Sequence, residues 1–199
     1  MANFRSAIAA QLKAGRFGQE TAVPSIVLSE QVLRTFFQIS GWPVDFEKSA
    51  QPVLQELGFS RIGAVGQAQI VGDVTSFRIA PERILLRSAD TTAWDYAKEV
   101  ADANAISLLD LSHARTVVRL EGPEVKALLA RLLSIDLHEN EFTVNSFVLT
   151  GIHEVPVLLH RLENDAKTPL FDLFVPYTWA ASIWHLICHA SLPFGYQVT

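Results

Sequence analysis

Two stretches of the sequence, LRTFFQISGWP (Leu33–Pro43) and ARTVVRLEGP (Ala114–Pro123), align at a constant offset of 81 residues up to the glycine. Arg34 matches Arg115, Thr35 matches Thr116 and Gly41 matches Gly122. Between these anchors the side chains alternate: Phe37 and Ile39 correspond to Val118 and Leu120, while Gln38 and Arg119 face the other way. A period of two is the signature of a half-buried strand. The glycine permits a sharp turn, and a proline follows at or near the first helical position, where its missing N–H costs nothing. A chain that repeats such a unit is expected to fold as two copies of one plan.

The helix after Gly122 is explicit, with Val125, Leu128, Leu129, Leu132 and Leu133 on one face and Glu124, Lys126 and Arg131 on the rest. The helix after Gly41 is expected to break or restart at Pro52. TSFRIAPERILLRS then reads as two strands about Ala80–Glu82, Asp90 or Thr91 caps a helix over TTAWDYAKEVADANA, and ISLLDL is a closing strand. In the second half VNSFVLTGIHEVPVLLHRL reads as two strands about His153–Glu154. A polar loop (Glu163–Pro169), a strand LFDLFV, a helix from Thr178 to Ser191 and GYQV follow. Arg61–Val74, rich in small residues, reads as a loop. Each half thus reads as strand–helix–strand–strand–helix–strand, giving an α+β chain of two tandem ferredoxin-like split βαβ units. The expected divisions are an N-terminal arm (1–24), a first unit (25–112) and a second unit (113–199). Phe4, Ala7, Ile8 and Leu12 would make the arm a short helix with one apolar face.

Composition narrows the function. Only 19% of residues are charged against 49% hydrophobic, where about 25% charged is usual. No run approaches the roughly 18 apolar residues of a membrane span; the stretch Ala127–Leu133 is bounded by Lys126 and cut by Arg131. The apolar surplus therefore points to a second buried surface, a subunit interface, and to self-association when the chain is isolated. A net charge of −5 with scattered basic residues gives no footprint for nucleic acid. The lone Cys188 excludes an internal disulfide or a thiolate cluster. The N-terminal stretch has no signal-peptide pattern, and the cytoplasm is the expected compartment.

Two constellations invite chemistry. Asp110, Ser112 and His113 are the residue types of a hydrolase triad, but neighbours on an extended segment alternate faces and do not converge. They are expected instead to satisfy backbone groups at the junction between the repeats, as an Asx or Ser/Thr turn. His185 and His189, at i and i+4 of the last helix, could hold a metal in a metal-dependent hydrolase. No third ligand accompanies them, and a polar or interface-facing stripe is the expected reading. On the same helix Trp179 is expected in the core and Trp184 at the interface, beside His185 and His189. His138, His153 and His160 stand alone.

The segment LDLSHARTVVRLEGPEVKALLARLLSIDLHENEF, with VPVLLHRL, FDLFVPYTWAASIWHLI and FRIAPERILL, resembles the gamma subunit of heterotetrameric sarcosine oxidase. That family typically reads Asp-Leu-Ser-His, an alternating strand, Gly-Pro, a leucine-rich helix and Ile-Asp-Leu-His. The matching residues here are Asp110, Ser112, His113, Gly122 and Pro123. The resemblance covers roughly residues 75–190. It implies the aminomethyltransferase folate-binding-domain fold, a tandem pair of ferredoxin-like units. It further implies a non-catalytic subunit beside alpha-like and beta-like partners that demethylate sarcosine oxidatively and hold FAD, FMN, NAD and tetrahydrofolate. Two departures stand out: Val175-Pro176-Tyr177-Thr178 replaces the usual Val-Pro-Arg-Ser, and Ala80–Leu85 replaces Gly-Pro-Asp/Glu-x-Trp-Leu. The folate-dependent relatives carry Tyr-Thr-Gly-Glu before the last helix of the domain, whereas Tyr177-Thr178 continues here as Trp179-Ala180. A stand-alone folate-binding one-carbon protein is thus the second expectation, and no cofactor or metal is assigned to this chain.

Overall fold

The computed structural model describes residues 5–164 and 168–199; Phe4 of the expected arm face and the middle of the loop Glu163–Pro169 lie outside them. The chain runs through β1 (Gly15–Phe17), β2 (Ile26–Gln31), β3 (Thr35–Ser40), α1 (Phe46–Glu56), β4 (Ala68–Val71) and β5 (Val74–Ala80). It continues through β6 (Arg83–Ser88), α2 (Thr92–Val100), β7 (Ser107–Asp110), β8 (Arg115–Glu121) and α3 (Val125–Leu132). The last elements are β9 (Phe147–Ile152), β10 (Val155–Leu162), β11 (Leu170–Pro176), α4 (Ala180–Ser191) and β12 (Tyr196–Val198). Among the described residues no helix is long and apolar enough to cross a membrane.

The elements form two compact units, and each carries its own sheet. Unit 2, Leu33–His113, has the order β4-β5-β6-β3-β7 with every pair antiparallel. With β3 as first strand and β7 as fourth, this is the ferredoxin-like arrangement, fourth–first–third–second, extended at one edge by β4. Phe37, Ile39, Ile84 and Leu86 alternate inward and meet Phe46, Ala50, Val53 and Leu54 of α1 and Ala93 and Ala97 of α2 in one core.

Two expectations for this unit are corrected. Arg61–Val74 is not all loop, because Ala68–Val71 folds back on β5 through a two-residue turn in which Gly72 has φ +54°. Nor does Pro52 interrupt α1, which is continuous. Pro52 lies on the exposed side, so the carbonyl its ring leaves without an N–H partner can face water, while the buried residues anchor the helix on either side. At α2 the capping oxygen is that of Asp90, which accepts the Thr92 N–H at 2.9 Å. That bond holds its carboxyl below the usual carboxylate range.

Unit 1 is assembled from both sides of unit 2: Ala114–Thr199 together with the chain up to Val32. Its sheet order is β1-β12-β2-β8-β11-β10-β9. By sheet position β8, β10 and β11 repeat β3, β5 and β6, and β9 repeats the extra strand β4. The hairpin β9–β10 turns through His153 (φ +45°) and Glu154 (φ +69°), both in the left-handed region that such two-residue turns demand.

The compact unit Leu33–His113 ends within one residue of the expected boundary after 112, whereas residues 25–32, expected in the first repeat, group with unit 1. β2 lies in unit 1, hydrogen-bonded to β8 on one side and β12 on the other. The closing strand of the second repeat, β12, is displaced one place outward and runs parallel to β2.

The arm does not form a helix within the described residues. Ala7–Gln11 makes one turn, with the Gln11 and Leu12 N–H groups donating to the Ile8 carbonyl at 2.8 and 3.0 Å. So short a segment propagates too few bonds to repay nucleation. Among the arm's described residues the fully buried side chain is Ile8, in the core of unit 1.

Candidate functional site

The junction Asp110–His113 is organised by backbone donors and acceptors. Asp110 Oδ1 accepts the Ser112 N–H at 2.9 Å, an Asx turn that redirects the chain as β7 ends. Ser112 Oγ accepts the Phe36 N–H at 3.1 Å, and the Leu111 N–H donates to the Phe36 carbonyl at 2.8 Å. These bonds continue the pairing of β3 beyond β7. His113 is exposed, and among the described residues no hydrogen bond joins it to Ser112. The three residue types meet in sequence but not in the geometry of a triad, in which the serine must reach the imidazole. Ser112→Ala is expected to lower stability by about 1 kcal/mol through loss of the bond to the Phe36 N–H, read as a lower urea midpoint with an unchanged slope.

Gly122 has φ +132°, and its Cα approaches the chain preceding β2 so closely that a Cβ would lie 2.3 Å from the Ser25 carbonyl oxygen. The Glu124 N–H donates to that same oxygen at 3.3 Å, and the Gly122 N–H donates to the Pro169 carbonyl at 3.1 Å. Pro123 sits exposed in the turn that leads into α3. Gly122 and Pro123 are thus an architectural joint where three chain segments cross.

On α4 the structure reverses the expected roles of the two tryptophans. Trp184 is 2% exposed and lies in the core with Ala180, Ile183 and Ile187, whereas Trp179 is 51% exposed. Tyr177–Trp179 forms a tighter 3-10 turn before α4 begins, so Trp179, which a helical wheel continued back from α4 groups with Ile183, falls out of phase. Trp184 is therefore not available at a surface. His185 and His189 are exposed on the face that Trp184 does not share. Among the described residues no group of three or more metal-binding side chains forms around them. Cys188 is half-buried, and burial pushes its thiol up. The neighbouring Tyr196 hydroxyl is pushed up to about 12, first by burial and then by the cysteine. A thiol held protonated in this way is a poor nucleophile.

The most polar arrangement in the interior lies on the other face of unit 1's sheet. Val118 and Leu120, Phe171 and Leu173, and Leu159 point into the core. The intervening residues Arg119, Asp172 and His160 therefore project from the opposite face. They stand directly across from one another on β8, β11 and β10, with Ser29 of β2 continuing the row beside Arg119. Arg119 and Asp172 form a fork: Nε to Oδ1 at 2.8 Å and Nη2 to Oδ2 at 2.9 Å. The Asp172 side chain is fully buried and that of Arg119 is 30% exposed. The Asp172 hydrogen bonds raise the guanidinium further, burial opposes them, and the Asp172 and Glu121 charges add to the rise. Two opposite charges already bound to each other in a fork form a structural clamp. Alternation places Arg119 on this face, but the sequence alone does not pair it with Asp172. The available signal was a charged residue interrupting each of two apolar strands, Arg in VVRL and Asp in FDLF.

No family model matches the chain. The sarcosine oxidase subunit gamma of Corynebacterium sp. (strain U-96) is 30% identical to it over 158 residues, 77% of this chain and 74% of the relative. A chain of the solved heterotetrameric sarcosine oxidase from Corynebacterium sp. U-96, in complex with pyrrole 2-carboxylate, superposes with a TM-score of 0.81 at 23% identity, covering 96% of each. The aminomethyltransferase T of the glycine cleavage system from Bartonella henselae superposes with a TM-score of 0.64 at 16% identity. That match covers 88% of this chain and 48% of the other, so the chain spans about half of the aminomethyltransferase.

Proposed function

Because the chain belongs to the sarcosine oxidase gamma-subunit family, we propose that it is the non-catalytic subunit of a heterotetrameric, sarcosine-oxidase-type flavoenzyme. The observation that carries this reading is 30% identity sustained over 158 residues and three quarters of a gamma subunit. On this reading the oxidative demethylation of sarcosine occurs in alpha-like and beta-like partners. Those partners hold FAD, FMN, NAD and tetrahydrofolate, the assembly works in the cytoplasm, and this chain packs against them.

The chain's own residues support a packing role. Ser112 is committed to backbone, Arg119 and Asp172 are committed to each other, and Trp179-Ala180 follows Tyr177-Thr178 where folate-binding relatives carry an acid. Co-expression with the alpha-like and beta-like chains is expected to yield one complex in which this chain is stoichiometric. Purified alone, it is expected to be colourless and without oxidase activity. Failure to co-purify, or tight binding of tetrahydrofolate by the isolated chain in calorimetry, would overturn the reading.

A further inference from the structure

β7 is the edge strand of unit 2's sheet: it pairs with β3 on one side and with no strand on the other among the described residues. Ser107, Leu109 and Asp110 are exposed. An edge of this kind offers a row of backbone N–H and C=O groups to any extended chain that can lie beside it. Alongside it opens a cleft of 1010 Å³ whose lining includes Trp42, Arg83, Lys98, Ile106, Ser107 and Leu108. Trp42 is 80% exposed and Val44, two residues on, is 92% exposed. Arg83 and Lys98 make no ion pair among the described residues. Glu82 also lines the cleft, leaving it with one net positive charge.

The repeat shows what such an edge accepts. In unit 1 the place of β7 is held by β2, and β2 does not end the sheet, because β12 pairs with it in parallel. The registers can be compared residue by residue. Leu28 faces Leu120 and Val27 faces Glu121, while Leu108 faces Ile39 and Ser107 faces Ser40. Since Ile39 and Ser40 match Leu120 and Glu121 at the 81-residue offset, Ile26, Val27 and Leu28 correspond to Ile106, Ser107 and Leu108. β12 lies on Ile26–Leu28. The equivalent strand on unit 2 would lie on Ile106–Leu108, three residues that line the cleft. In β12 the pattern is apolar–polar–apolar, with Tyr196 and Val198 buried and Gln197 half-buried between them.

We propose that the open edge of β7 and the cleft beside it receive an extended segment of a partner subunit, which joins unit 2's sheet as a parallel strand. The proposal rests on the reading of this chain as a subunit of a larger assembly. The segment carries apolar side chains beside Ile106 and Leu108 and an intervening polar one beside Ser107. A flanking carboxylate meets Arg83 and Lys98, and an apolar side chain covers Trp42, the residue type that most often anchors an interface.

The test is hydrogen–deuterium exchange on the full chain, alone and in the co-purified complex, with Trp42→Ala and the double variant Arg83→Glu, Lys98→Glu carried alongside. All three residues are exposed, so the variants are expected to keep the parent melting temperature, which is measured first. Amides across Ser107–Asp110 are expected to exchange at least about tenfold more slowly in the complex. Each variant is expected to bind the partners at least about tenfold more weakly. A complex that forms with this strand exchanging as fast as in the free chain overturns the proposal and leaves the subunit reading standing. Concentration-dependent protection of the same amides in the isolated chain makes a second copy the occupant and overturns it too. Absence of any complex overturns both.

Discussion

Gly122→Ala is expected to abolish the folded state or to cost roughly 4 kcal/mol or more, at the extreme of what single substitutions do. Two effects add. A φ of +132° is a conformation that L side chains rarely adopt, and the new Cβ would sit 2.3 Å from a backbone oxygen, Ser25 O, that is itself hydrogen-bonded to Glu124. Relief would require moving the strand that begins at Ile26, which lies between β8 and β12 in the middle of the sheet. Two controls separate these effects. Gly72 has φ +54° with nothing within 4 Å, so Gly72→Ala carries backbone strain alone, about 1–2 kcal/mol. Gly41, the repeat partner of Gly122, meets only the Phe46 ring at 3.1 Å and the Ala105 carbonyl oxygen at 3.9 Å, and Gly41→Ala is expected to fold. Urea unfolding followed by circular dichroism ranks the three; equal midpoints for the alanine variants of Gly41 and Gly122 would refute the account.

Arg119→Ala is expected to cost about 3 kcal/mol, and more than Asp172→Ala. Removing the guanidinium takes the bidentate partner from a carboxylate that is fully buried, whereas removing the carboxylate leaves an arginine that is 30% exposed and can recruit water. The double replacement Arg119→Met, Asp172→Leu is expected to be less destabilising than Arg119→Ala, because no charge is then left behind. Melting temperatures of the single and double variants close the cycle. An Asp172→Ala variant less stable than Arg119→Ala would contradict the asymmetry.

What the sequence made legible was the periodicity within each strand and the spacing between the copies. Phe37 and Ile39 against Val118 and Leu120, the helix from Val125, and the turn at His153–Glu154 all stand where alternation put them. Local pattern failed where local geometry changed. Trp179 fell out of phase because three residues of 3-10 helix precede α4, and Ala68–Val71 is too short, between glycines, to announce a strand. It failed more deeply where position in the sheet decides. That β2 pairs with β8, and that Asp172 stands between Arg119 and His160, depends on which strands are neighbours, and no residue within a strand records its neighbour.

The split construction of unit 1 has a consequence for how the protein is made. Ile26–Gln31 leaves the ribosome before any of its partners exist. β8 follows about 90 residues later and β12 about 170 residues later, which at roughly 5–20 residues per second is a wait of roughly 10–30 s for the last strand. In that interval the contiguous stretch Leu33–His113 has every strand of its own sheet in hand. Synthesis therefore imposes an order: the inner repeat closes first, while the apolar Ile26–Leu28 of β2, waiting for strands not yet translated, is the nascent chain's exposed point for chaperones or aggregation.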